Sequence, residues 1–167
     1  MSNEETTVSV SMTVEATVER AFEYFTVEMS SWWNADHHII EAPFERMVFE
    51  PRVGGNIYDV GTDGSECRWS RVLAYEPPRR LVFSWDITTD WKLETDHTKA
   101  SEVEVRFEPD GESTTRVELE HRNLDRHGEG WEGMRDGVGS PGGWPALAHD
   151  FGDRLREVDS GRAEAQA

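Results

Sequence analysis

His121 falls in step with Val117 and Leu119 along a run in which apolar and polar residues alternate. That period places its imidazole on the inner face of a half-buried strand. An unperturbed imidazole titrates near neutrality, so an inward His121 has three uses: proton exchange with a bound carbonyl compound, orientation of a ligand carbonyl, or a structural hydrogen bond at the strand end. Arg71 shares a phase with Cys67, Trp69, Leu73 and Tyr75. A guanidinium on an inner face needs a partner, which Asp59, Glu45 or a ligand carboxylate would supply, unless it reaches water from the strand end. Tyr58 adds a phenolic hydroxyl to the same candidate set.

Other reactive residue types point to less. His37 and His38 are adjacent, and neighbouring histidines do not easily face one ion. No His-Glu-x-x-His, Cys-x-x-Cys or His-x-His spacing occurs, so a metal site would have to assemble from His37 or His38, His121, and Cys67 or Glu66. The reading assigns no metal and no cofactor. Ser70 and Ser84 fall in the polar phase, and no Gly-x-Ser-x-Gly elbow is present. An apolar setting raises the pKa of the lone thiol, Cys67, and leaves it inert. Gly54-Gly55 precedes a strand rather than a helix, so it reads as a turn and not as a phosphate cradle. Glu102, Glu104, Glu118 and Glu120 read as a solvated face.

Antiparallel strands and a few helices must position these side chains. Residues 6–14 alternate Val8, Val10, Met12 and Val14 with polar neighbours, the pattern of a first strand. Thr17 suits the cap of a helix that buries Val18, Ala21, Phe22 and Phe25, and a second short helical piece carries Met29, Trp32 and Trp33. Turn chemistry at Gly54-Gly55, Asp63-Gly64, Pro77-Pro78 and Asp110-Gly111 then separates strands of a meander. Leu81, Phe83, Trp85 and Ile87 share one face with Val103, Val105 and Phe107. Arg68, Val82, Ser84, Asp86 and Arg106 fall on the opposite, wet face with the glutamates. The glycine-rich stretch between His121 and Ser140 reads as a loop able to move over an opening. Ser140 as N-cap and Pro141 at the first position open a last helix, whose stripe of Trp144, Leu147, Ala148, Phe151 and Leu155 must cover the sheet. Residues 1–5 and 159–167 read as flexible tails around a single domain over 6–158.

The 167 residues carry a formal net charge of -17, with 34 acidic against 17 basic side chains. Such a surface repels a phosphate backbone or an anionic leaflet, which argues against nucleic-acid partners and membrane insertion. Lys92 and Lys99 are the only lysines, a bias that fits coding composition or a salty cytoplasm equally well. With one cysteine and no leader or membrane-length apolar run, the expected setting is the cytoplasm.

One strand, two short helices, a run of antiparallel strands and a long last helix resembles the helix-grip fold of the START-like (SRPBCC) superfamily. Residues 49–55 (FEPRVGG), 72–85 (VLAYEPPRRLVFSW), 101–107 (SEVEVRF) and 115–122 (TRVELEHR), with Gly143-Trp144-Pro145, are similar to the bacterial branch related to the C-terminal domain of the activator of the 90-kDa heat-shock ATPase. The resemblance implies an α+β fold, a curved antiparallel sheet wrapped around a C-terminal helix with a cavity between them. The expected function is binding of a small, largely apolar ligand there, by Trp33, Tyr58, Trp69, Arg71, Phe83, Trp85, His121, Trp144, Leu147 and Phe151. A cyclase- or hydrolase-like enzyme using His121, and a module that stimulates a chaperone ATPase, are the alternatives.

Overall fold

The structure, a computed structural model, describes residues 3–33 and 38–166, and the side chains of 5–33 and 38–159. Seven antiparallel strands form one sheet: β1 (Val8–Val14), β2 (Phe44–Phe49), β3 (Asn56–Gly61), β4 (Glu66–Glu76), β5 (Arg80–Trp85), β6 (Ser101–Pro109) and β7 (Thr115–Arg122). Their order is β1-β7-β6-β5-β4-β3-β2, a meander closed at one edge by the first strand. Between β1 and β2 lie α1 (Val18–Thr26) and α2 (Met29–Trp32). The Thr17 hydroxyl accepts from the Arg20 amide at 3.2 Å, the cap expected at that position.

After β7 the chain forms α3 (Trp131–Val138) and α4 (Trp144–Gln166). The stretch expected to be a loop is therefore largely a helix, because Met134 and Val138 recur at helical spacing and bury their side chains. The last helix also begins later than its sequence suggests. The Ser140 hydroxyl donates to the Gly137 carbonyl at 2.7 Å, closing α3, while α4 starts at Trp144 with Pro145 second. Past Asp159, where the apolar periodicity ends, the backbone stays helical to Gln166. Trp144, Leu147, Phe151 and Leu155 are buried as one stripe. Phe151 packs edge-on against Phe25 and Trp32, so the helix lies on the inner face of the sheet with α1 and α2.

The tight joint between α3 and α4 demands glycine. A Cβ on Gly143 would stand 2.2 Å from the Val138 carbonyl oxygen, whereas one on Gly142 would meet nothing within 4 Å. We expect Gly143→Ala to lower unfolding free energy by about 1–3 kcal/mol, the usual cost of overpacking, with Gly142→Ala near neutral. Denaturant titrations of the pair check this, and equal midpoints would disprove the steric account.

Two β-bulges reset the phase of β4. Ile57 pairs with Ser70 but Tyr58 with Arg68, and Val72 pairs with Phe83 but Ala74 with Val82. Each shift inserts one residue and inverts the alternation beyond it. Cys67, Trp69, Val72 and Tyr75 consequently face inward, and Arg71 does not. The outer face is also drier than alternation implies. Val82, Ser84, Asp86 and Glu104 are buried there, Glu104 beneath Arg80 at 2.7 Å and Arg122. Burial by itself would raise the Glu104 carboxyl, yet hydrogen bonds and charge from Arg80 and Arg122 outweigh it and hold it below the usual carboxylate range.

Candidate functional site

A pocket of about 430 Å³ opens between β3, β4 and β5, the end of α2, and the α3–α4 joint. Four indoles form a ring of contacts in its wall: Trp33 to Trp69 at 5.4 Å, Trp69 to Trp85 at 5.7 Å, Trp85 to Trp144 at 5.6 Å and Trp144 to Trp33 at 5.9 Å. The tilted and edge-on angles are those that ring quadrupoles favour. Ile39, Ile87, Val138 and Leu147 complete an apolar lining. Trp91 also lines the pocket and is 46% exposed. Its φ of 61° is unusual for a bulky residue. The turn that holds it is closed by Trp91 N donating to Thr88 O at 2.9 Å and Thr88 N to Lys92 O at 2.7 Å.

Behind the ring lies a polar chain that the sequence only half disclosed. The Trp144 indole N–H donates to His121 Nδ1 at 3.0 Å, His121 Nε2 meets Ser101 Oγ at 2.7 Å, and Ser101 Oγ meets His127 Nε2 at 2.7 Å. An indole can only donate, so His121 accepts at Nδ1 and carries its proton on Nε2, which donates to Ser101; the serine hydroxyl then donates to His127. Burial, reinforced by the charge of His127, pushes the His121 imidazole down to about 3. His121 does not line the pocket. With both nitrogens engaged and the ring wholly enclosed, it is a neutral strut for Trp144, the structural use among the three that its phase allowed.

The remaining expected site residues divide cleanly. Trp33, Trp69, Trp85, Trp144 and Leu147 meet at the pocket. Phe83 and Phe151 are completely buried one layer deeper. Tyr58 lies on the outer face with the Arg68 guanidinium 4.8 Å above its ring, because Ile57 and Tyr58 are neighbours on a strand and the more apolar side chain takes the core. Arg71 reaches Asp86 through two hydrogen bonds of 3.0 and 3.1 Å, so its carboxylate partner is Asp86 rather than Asp59 or Glu45. Burial raises the Cys67 thiol to about 11, with Asp59 and Glu41 adding to the effect, which agrees with an inert cysteine.

Sequence reasoning did not join His38 to Asp59. His38 Nδ1 lies 3.1 Å from Asp59 Oδ2, and both residues line the pocket. Their side chains are 6% and 1% exposed. Phe44 stacks on the imidazole at 3.5 Å. Three buried polar atoms of pocket-lining residues lack a hydrogen-bond partner among the described residues: His38 Nε2, Asp59 Oδ1 and Trp85 Nε1. Asp59 shares the inward phase of Ile57, the one signal that could have found it. His37 lies outside the described residues, and among those described no cluster of three or more His, Cys, Asp or Glu side chains is arranged to hold a metal. Among them also, no helix is long and apolar enough to cross a membrane.

A curved antiparallel sheet gripping a C-terminal helix, with a pocket between the two, defines the START-like helix-grip class. Within it, residues 15–146 match the model of the activator of Hsp90 ATPase homolog 1-like family, and the chain belongs to that family. Among solved structures it is similar to Txn09, an anthrahydroquino-γ-pyrone synthase, at 38% identity over 90% of this chain and 98% of that one, with a TM-score of 0.63. CalC, a self-sacrificing resistance protein from Micromonospora echinospora, is 29% identical over 93% of this chain and 97% of its own, with a TM-score of 0.65. A protein from Arthrobacter aurescens shares the fold at 22% identity, covering 94% of this chain and 90% of its own, with a TM-score of 0.61. No match is found among curated proteins.

Proposed function

We propose that the chain binds a flat, largely apolar small molecule, of the hydroxylated polycyclic aromatic kind, inside the ring of indoles. The observation that carries this reading is the pairing of an apolar wall with three unpartnered buried polar atoms, His38 Nε2, Asp59 Oδ1 and Trp85 Nε1. Leaving such atoms unsatisfied costs about 1–3 kcal/mol each, a cost that a ligand's hydroxyl and carbonyl groups would remove. The similarity to an anthrahydroquino-γ-pyrone synthase supports a polycyclic aromatic in particular. The buried thiol of Cys67 is in keeping with a reducing cytoplasm.

Indole fluorescence supplies the test. Titration with 1,8-dihydroxyanthraquinone should quench it saturably with one-site stoichiometry. Leu147→Trp, which fills the pocket, should weaken that binding about tenfold or more while circular dichroism stays unchanged, since a lost apolar contact of 1–3 kcal/mol corresponds to that range. Linear, unsaturable quenching that Leu147→Trp leaves unaltered would remove the reading.

A further inference from the structure

We propose that His38, oriented by Asp59, is a general base that abstracts and returns a proton on a carbonyl compound held in the indole ring, making the pocket the site of an isomerisation by proton transfer. This rests on the binding reading above and goes beyond it by assigning a reaction class. The Asp59 carboxylate can only accept, so its 3.1 Å contact places the imidazole proton on Nδ1 and leaves the lone pair of Nε2 free. Nε2 is buried and has no partner among the described residues, as a base awaiting its substrate requires. His121, by contrast, has both nitrogens committed to Trp144 and Ser101.

The step is balanced without a cofactor. A C–H bond next to the carbonyl breaks, its proton passes to Nε2, and its electron pair moves into the enolate. The imidazolium is neutralised by Asp59, and Nε2–H then gives the proton back to the carbon from which it came or to another atom of the rearranged product. Neither an oxidant nor a second substrate is consumed. The unpartnered Trp85 Nε1 is a donor in the same wall, of the type that stabilises an enolate oxygen. Asp59 is here a positioning residue.

Exchange of the α-hydrogens of 2-tetralone in deuterated buffer, followed by proton NMR, reads the step directly. Indole quenching in the same samples reports occupancy. The wild-type protein should accelerate exchange over buffer, and His38→Gln should lower that acceleration about 100-fold or more when compared at equal pocket occupancy, as read by quenching. Asp59→Asn should also lose the acceleration, and the ¹⁵N shifts of the His38 ring should show its proton moved from Nδ1, a signature that a merely structural role would not produce. Saturable quenching with no acceleration, or acceleration that survives His38→Gln, would overturn the base while leaving the binding reading intact. Absence of quenching would overturn both.

Discussion

Trp144→Ala is expected to lower the unfolding free energy by about 3–5 kcal/mol, the range for truncating an enclosed indole. Trp144 is 2% exposed, contacts Trp33 and Trp85, and donates the hydrogen bond that His121 Nδ1 accepts. Two losses therefore combine, a cavity where the ring stood and a buried acceptor without a donor. Trp144→Phe separates them. It keeps most of the apolar volume but not the N–H, and should cost about 1–3 kcal/mol, the penalty of the orphaned imidazole nitrogen. Urea titrations of the three proteins measure both terms, and a Trp144→Phe protein as stable as wild type would mean that the His121 contact contributes nothing. Since Trp144 also forms a wall of the pocket, Trp144→Ala should loosen ligand binding through the same change.

The second large effect is a loss of stability in acid that originates in one side chain. His121 is held near 3 in the folded protein by burial and by the charge of His127, whereas in the unfolded chain it titrates near 6.5. Between those values the unfolded state binds the extra proton, so stability is complete above about pH 6.5 and falls as pH drops towards 3. The slope is about 1.4 kcal/mol per pH unit. His127 is shifted downward as well, chiefly by burial, and acts in the same direction. A His121→Gln protein lacks the His121 part of this term but retains every carboxylate. Between pH 7 and pH 4.5 the wild type should lose about 3 kcal/mol more than the variant. Equal losses in the two proteins would show that His121 is not held neutral by the fold.

Much of the architecture was legible because its signals are local. Alternation of apolar residues predicted β1 and the inner faces of β5, β6 and β7, the Thr17 cap predicted the start of α1, and the stripe from Trp144 to Leu155 predicted the buried face of α4. Local signals also placed Trp33, Trp69, Trp85, Trp144 and Leu147 together. They failed where one inserted residue or one distant partner mattered. The bulges in β4 turn Arg71 away from the interior to Asp86, although its spacing from Cys67 and Trp69 is that of an inward residue. Glu104 looks solvated from its neighbours along β6, and arginines on two adjacent strands, Arg80 and Arg122, bury it.

The same division separates the wall of the pocket from its chemistry. Ring size and period-two or helical spacing are properties of short segments, and they suffice to direct indoles inward. A hydrogen bond between His38 and Asp59, which are 21 residues apart, depends on where β2 and β3 set their ends and on how the chain enters β2. The neutral state of His121 likewise needs Ser101, His127 and Trp144 delivered by three other parts of the chain. Apolar burial rewards any inward position and so can be written residue by residue. Directional polar contacts reward only one relative placement of distant segments, which the assembled sheet and helices alone supply.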